Sequence, residues 1–160
     1  IVGHSERRTI FNENDELIKK KLNNCLDQIG SAILCVGETL NEKEENKTFE
    51  VIKKQLSILP HQIQGKNLDI AYEPVWAIGT GLTATNDQVE SAHEVIRNFI
   101  RKNFKNSNHI HILYGGSVNS GNAKSLIQTK GVDGFLIGGA SLDAESFASI
   151  INIVEEAQEI

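Results

Sequence analysis

Methionine is absent from all 160 residues, and cysteine and proline occur only twice each. Cys25 and Cys35 are too few for a disulfide framework and lack the spacing of zinc ligands. Both fall in apolar patterns, so they read as small buried hydrophobes in a reducing, cytoplasmic compartment. No apolar run approaches the roughly 18 residues of a membrane span. Positive charge is also short, with 16 Lys+Arg against 21 Asp+Glu and a net charge of -5. That balance lacks the positive field that attracts nucleic acid or an anionic membrane, so neither is expected as a partner. The opening Ile1-Val2-Gly3-His4-Ser5-Glu6-Arg7-Arg8 is neither a signal nor a transit peptide. It reads as the end of a strand. With no methionine anywhere, it predicts a chain that does not begin where translation began.

What is present suits one domain with a core, spanning residues 1–160: 39% hydrophobic and 23% charged residues. Short apolar runs alternate with helical stripes. The runs are Ile33-Leu34-Cys35-Val36-Gly37, Leu68 to Tyr72, Ile110 to Tyr114 and Gly134 to Ile137. Without strict polar alternation they suit strands of a parallel sheet covered on both faces. The stripes are Ile18, Leu22, Cys25, Leu26 and Ile29; then Phe49, Ile52, Leu56 and Leu59; then Val89, Ala92, Ile96, Phe99 and Ile100, opened by Asn86 as N-cap. Phe147, Ile150, Ile151 and Val154 form another, opened by Asp143, and a weaker one covers Ala123 to Ile127. The charge run Glu42 to Lys47 reads as a solvated first turn or loop. Strand–helix alternation implies right-handed crossovers and a parallel α/β sheet. A barrel of eight such units takes about 250 residues, so the chain reads as a little over half a barrel. A doubly wound open sheet is the alternative.

In either architecture functional groups gather at the carboxyl ends of the strands. Those ends carry His4-Ser5-Glu6-Arg7, Gly37-Glu38, Glu73, Gly115-Gly116-Ser117 and Gly138-Gly139. Pro74 pushes Glu73 into extended geometry at the lip of its strand. Desolvation there would raise its basicity, as a general base needs. His4 precedes a polar helix opening, where the positive end of the helix disfavours imidazolium. The two glycine pairs each end a strand and let backbone N–H groups approach an anion. The connection from Pro74 to Thr85 exceeds the usual 2–6 residues of such loops and carries apolar residues in its middle, the composition of a lid. The opposing reading is an ordinary packed loop with Trp76 in the core.

Together, Val2-Gly3-His4-Ser5-Glu6-Arg7-Arg8, Leu34-Cys35-Val36-Gly37-Glu38-Thr39, Ala71 to Gly81 (Ala-Tyr-Glu-Pro-Val-Trp-Ala-Ile-Gly-Thr-Gly), Tyr114-Gly115-Gly116-Ser117-Val118 and Gly134 to Ala140 resemble the triosephosphate isomerase family, in the same order and along the whole chain. The resemblance implies a partial TIM (β/α)8 barrel, roughly units 4 to 8, with parallel strands and outer helices. It implies interconversion of dihydroxyacetone phosphate and glyceraldehyde 3-phosphate through an enediolate. Glu73 would move the proton and His4 would be the neutral electrophile. This family is itself the standard case of such pKa tuning, so those two roles come with the family and not from spacing. Glu6 would sit beside the family's catalytic lysine. Gly79, Ser117, Gly138 and Gly139 would hold the phosphate. Pro74, Val75, Trp76, Ala77, Ile78, Gly79, Thr80, Gly81 and Ala84 would form the lid. Closed, the lid would latch from Tyr114 to the Ala84 backbone and from Ser117 to the Gly81 backbone; open, Ser5 would hold Glu73. No metal or organic cofactor is implied; a homodimer is.

Leu82 and Asn86 depart mildly from the family's Lys and Pro. A larger departure is that nothing in these residues corresponds to the family's first strand with its Asn and catalytic Lys, or to its third loop, which builds the dimer interface. The chain therefore reads as an incomplete barrel lacking the first three βα units, inactive by itself. Two alternatives stay open. One is another phosphate-binding barrel, such as a sugar-phosphate epimerase or an enzyme of amino-acid biosynthesis. The other is an inactive half-barrel serving as a binding or assembly module.

Overall fold

The structure is a computed structural model that describes residues 1–60, 67–78, 80, 82–105 and 107–158. After Val2, helix α1 covers Ser5–Thr9, followed by α2 (Asp15–Gln28), β1 (Ser31–Val36), α3 (Leu40–Glu44), α4 (Thr48–Leu56) and β2 (Asn67–Tyr72). A 3-10 turn at Val75–Ala77 leads to α5 (Asn86–Asn103), and another at Ser107–His109 to β3 (Ile112–Tyr114). Then come α6 (Ala123–Ile127), β4 (Gly134–Phe135), a 3-10 turn at Gly139–Leu142 and α7 (Ala144–Gln158).

The four strands are parallel and lie in chain order, β1-β2-β3-β4. Val2 adds a parallel bridge to Leu34 on the outer side of β1. A doubly wound sheet reverses its strand order at a switch point. This sheet never reverses, so successive right-handed crossovers place the helices on one face, as in a barrel. The register Val36↔Tyr72↔Tyr114↔Phe135 brings all four carboxyl ends to one edge.

Alternation assigns the two faces. Leu34, Val36, Leu68, Ile70, Ile112 and Tyr114 share a core with Ile18, Leu22 and Leu26 of α2, Ile52 and Leu56 of α4, and Val89, Ile96 and Ile100 of α5. Each fully buried Leu or Ile contributes roughly 1.5–3 kcal/mol. On the other face Cys35 and Ala71 are buried, while Ile33, Asp69 and Leu113 are half-buried.

Local signals set most boundaries. The Asn14 side chain accepts the Leu17 N–H at 3.0 Å and opens α2. Gly30, at φ +77, closes it in the left-handed conformation that glycine favours. The Asp143 carboxylate accepts the Ser146 N–H at 2.8 Å and opens α7, and α6 has the bounds its stripe suggests. Helix α5 corrects its expected cap: Thr85, not Asn86, is the N-cap, because Thr85 and Gln88 close a reciprocal capping box. Leu59 lies beyond the end of α4 yet is buried, and Phe49 is 45% exposed, so that stripe is only partly a core stripe. Strand β3 begins at Ile112, not Ile110. The Asp69 carboxylate takes the His111 N–H (3.2 Å) and that of Asp133 takes the Ile112 N–H (2.6 Å), so side chains replace rungs of the ladder. Strand β4 is cut to two residues, although Leu136 N–H still donates to Tyr114 O at 2.9 Å.

His93 of α5 is fully buried, with Nδ1 2.9 Å from Gly131 O and its ring edge-on to Tyr72. A carbonyl accepts, so Nδ1 carries the proton. Burial pushes the pKa down to about 4, against an unperturbed 6.5. The unfolded chain therefore takes up a proton before the folded one does. The stabilisation from a neutral His93 is complete above pH 6.5 and is lost as pH falls towards 4, by at most about 1.4 kcal/mol per pH unit. Urea melts at pH 7 and pH 4.5 should show a smaller loss for His93→Gln than for the unaltered chain. Equal losses would dissociate the acid sensitivity from His93.

Candidate active site

The sheet's carboxyl edge opens into a cavity of about 350 Å³, lined by residues that follow the Val2 bridge and strands β2, β3 and β4, among them His4, Glu73, Gly115, Ser117, Gly138 and Gly139. Ladder bonds fix that edge: Cys35 N–H to Val2 O (2.9 Å), Glu73 N–H to Val36 O (2.7 Å) and Gly115 N–H to Tyr72 O (2.8 Å).

Glu73 is 3% exposed. Its Oε2 accepts the Ser5 backbone N–H at 3.0 Å, and its Oε1 lies 3.0 Å from His4 Nε2. His4 caps α1, and its Nδ1 accepts the Glu6 N–H at 3.3 Å. An accepting Nδ1 carries no proton, so the neutral ring is the Nε2–H tautomer and donates to Glu73. Burial pushes the Glu73 carboxyl above the usual carboxylate range, and His4, the Ser5 N–H, the Cys35 thiol and Arg8 each oppose that rise. Arg8 holds the first turn onto β1 and α2, with Nη2 donating to Cys35 O at 3.3 Å, Nε to Gly3 O at 2.9 Å and Nη1 to Asp15 at 2.7 Å.

Two glycines let Glu73 sit this deep. A Cβ on Gly37 would lie 1.7 Å from Glu73 O, and one on Gly115 would lie 3.0 Å from Glu73 Cγ. Gln55 clamps Gly37 from the far side, accepting its N–H at 2.7 Å and donating to its carbonyl at 3.1 Å.

The anion-binding candidates line the same cavity. Among the described residues, the backbone N–H groups of Ser117, Gly138 and Gly139 donate to no protein acceptor. A Cβ on Gly138 or Gly139 would meet nothing within 4 Å, so this wall is open. Gly79 and Gly81 lie outside the described residues.

The segment after Glu73 is anchored at its start. Pro74–Ala77 forms a turn in which Val75 N–H donates to Glu38 O (3.0 Å) and Ala77 N–H to Pro74 O (2.8 Å). Trp76 is 8% exposed and packs in the core, as the packed-loop reading had it. Thr80 Oγ1 donates to Trp76 O at 2.9 Å, and Ser117 Oγ donates to Ala77 O at 2.7 Å. Ile78 lines the cavity. Ala84 is buried, and the Tyr114 hydroxyl is buried facing its backbone, with no hydrogen bond closed among the described residues.

The arrangement thus joins His4, Ser5 and Glu73 directly and puts Ser117, Gly138 and Gly139 on the same cavity. Glu6 contributes its N–H to His4, but its side chain is exposed and outside the lining. The Cys35 thiol faces Glu73, and burial pushes its pKa well up; Cys35 pairs with Ala71, two residues before Glu73, a register that only the folded sheet shows. Glu38, only a strand-end residue in the sequence, is 1% exposed and accepts from Trp76 Nε1 at 2.8 Å and from the Tyr72 hydroxyl at 3.1 Å. No helix among the described residues is long and apolar enough to cross a membrane.

A singly wound parallel βα sheet with a buried carboxylate, an imidazole beside it and N–H groups without a protein acceptor at its carboxyl edge defines part of a βα-barrel. Comparison with known proteins narrows this class. The family model described as triosephosphate isomerase matches residues 1–154, and the chain belongs to that family. It is 49% identical to the triosephosphate isomerase of Geotalea uraniireducens over 162 residues, covering 97% of this chain and 64% of that protein. It is 51% identical over 154 residues to that of Aquifex aeolicus, covering 94% and 62%, and 47% identical over 156 residues to that of Syntrophotalea carbinolica, covering 94% and 62%. The chain therefore spans about 62–64% of the length of these relatives.

Gly37→Ala should destabilise the fold by at least about 3 kcal/mol, since its Cβ would overlap a backbone oxygen rather than a movable side chain. Gly30→Ala, which meets no atom within 4 Å, should cost only the left-handed strain, about 1–2 kcal/mol. Paired urea titrations check the ordering.

Proposed function

We propose that this protein interconverts dihydroxyacetone phosphate and glyceraldehyde 3-phosphate by proton transfer through an enediolate, in glycolysis and gluconeogenesis in the cytoplasm. The observation that carries the reading is the 3.0 Å approach of Glu73 Oε1 to His4 Nε2, on a cavity lined by residues whose N–H groups have no protein acceptor among the described residues. In the described arrangement the base and the electrophile occupy each other. Substrate entering the cavity takes the His4 Nε2–H onto its carbonyl oxygen and frees Glu73 to remove the proton from the adjacent carbon. Burial supports this, because a desolvated carboxylate is the stronger base. The developing oxyanion meets a donor already in place.

The N–H groups of Ser117, Gly138 and Gly139, with Gly79, hold the phosphate. The lid of Pro74 to Ala84 closes over it, latched by Tyr114 to Ala84 and by Ser117 to Gly81. Closure keeps water from an intermediate that would otherwise lose its phosphate. Ser5 is the partner of Glu73 while the lid is open, and Glu6 stands beside a lysine carried by the first barrel unit. On this reading residues 1–160 are a single domain forming units 4 to 8 of the barrel. The protein works as a homodimer. Supporting this, Ile10 and Phe11 are 65% and 60% exposed beside the Arg7–Glu13–Lys21 ion network, with the Arg7 guanidinium 4.2 Å above the Phe11 ring.

In the full-length protein, Glu73→Asp keeps the charge but withdraws the base by one methylene. Its kcat should fall at least about 100-fold, while affinity for inorganic phosphate stays within about twofold. Retained turnover would remove Glu73 from its role. Phe11→Asp should shift the sedimentation of the full-length protein from dimer to monomer, and an unchanged dimer would move the interface elsewhere.

A further inference from the structure

We infer that Lys43 is a positioning residue for Glu73: its ammonium, seated on the Trp76 ring, clamps the Glu73–Ala77 turn in the arrangement in which His4 and Ser5 engage the carboxylate. Lys43 Nζ lies 3.0 Å from the centroid of the Trp76 ring, within cation–π range. The indole edge is held separately, with Nε1 donating to Glu38 Oε1 at 2.8 Å. Trp76 is thus gripped on its face and its edge. Lys43 is aimed by α3, which a capping box fixes: Thr39 N–H donates to Glu42 Oε2 at 2.8 Å and Glu42 N–H to Thr39 Oγ1 at 3.4 Å.

The grip reaches Glu73 through a short, stiff path. Pro74 restricts the backbone between them, and the Ala77 N–H to Pro74 O bond (2.8 Å) makes the turn move as a unit. A backbone shift that withdraws Glu73 from His4 and Ser5 tilts that turn, and with it the indole. A cavity of about 420 Å³ lined by Glu38, Lys43, Phe49 and Trp76 gives the ring room to shift without rebuilding the core. The clamp therefore weights the parked arrangement against the released one, and the apparent affinity for substrate scales with the released fraction.

The inference rests on the reading of Glu73 as the base, so the test separates the two. In the full-length protein, Lys43→Met keeps an apolar cover on Trp76 and removes the charge. It should lower KM for dihydroxyacetone phosphate by about 3- to 30-fold with kcat within twofold. With 5-fluorotryptophan incorporated, the 19F resonance of Trp76, assigned by its loss in Trp76→Phe, should shift in Lys43→Met. Lys43→Arg, whose guanidinium also stacks on indole, should restore KM and the resonance. An unchanged KM in Lys43→Met, or a change that Lys43→Arg fails to rescue, overturns the inference. Turnover retained in Glu73→Asp removes the base it acts on.

Discussion

A carboxylate taken out of water must be compensated where it stands. Glu73 meets that demand with the Nε2–H of His4, the backbone N–H of Ser5, the Cys35 thiol and the field of Arg8. None of these is a sequence neighbour of Glu73. His4 and Ser5 follow the Val2 bridge, Cys35 is the penultimate residue of β1 and Glu73 follows the last residue of β2. The parallel register is what brings these ends to one edge, so the chemistry of the site is a direct consequence of the ladder. The compensation is incomplete, because burial still leaves the carboxyl more basic than usual. That residual basicity is what a proton-abstracting group requires.

Two kinds of glycine serve this edge. Gly37 and Gly115 are there for contact: a methyl group at either would press on Glu73 itself. Gly138 and Gly139 are there for openness: with Ser117 they line the cavity, and the N–H groups of the three have no protein acceptor among the described residues. One wall is therefore dense and basic and another is polar and open. Membership of the triosephosphate isomerase family does not favour a module that only binds partners.

The turn that follows Glu73 belongs to the core as much as to the cavity. Trp76 is buried, and its indole N–H is satisfied by Glu38, itself satisfied by Tyr72. Such a polar network is costly to break in part. It therefore anchors the start of the segment while Ile78 reaches the cavity and Leu82 stays 54% exposed.

Periodicity was enough to find α2, α5, α6 and α7, because an apolar stripe is a local record of which helix face meets the sheet. Pro74 and the strand-end glycines marked Glu73, Ser117, Gly138 and Gly139 for a related reason: backbone restriction and backbone freedom are properties of the residue itself. The Asn86 cap went wrong within this local range, since Thr85 and Asn86 both suit an N-cap and only the bond to Gln88 separates them. Glu38 and Lys43 looked like a strand-end acid and part of a solvated charge run. Their contacts with Trp76 arise from pairing β1 with β2, more than thirty residues apart in the chain. The tautomer of His4 likewise needed the Glu6 N–H in place. Propensity and spacing act between near neighbours and can be read along the chain; the partner of a buried charge is chosen by chain closure over long separations, and only the folded sheet contains that choice.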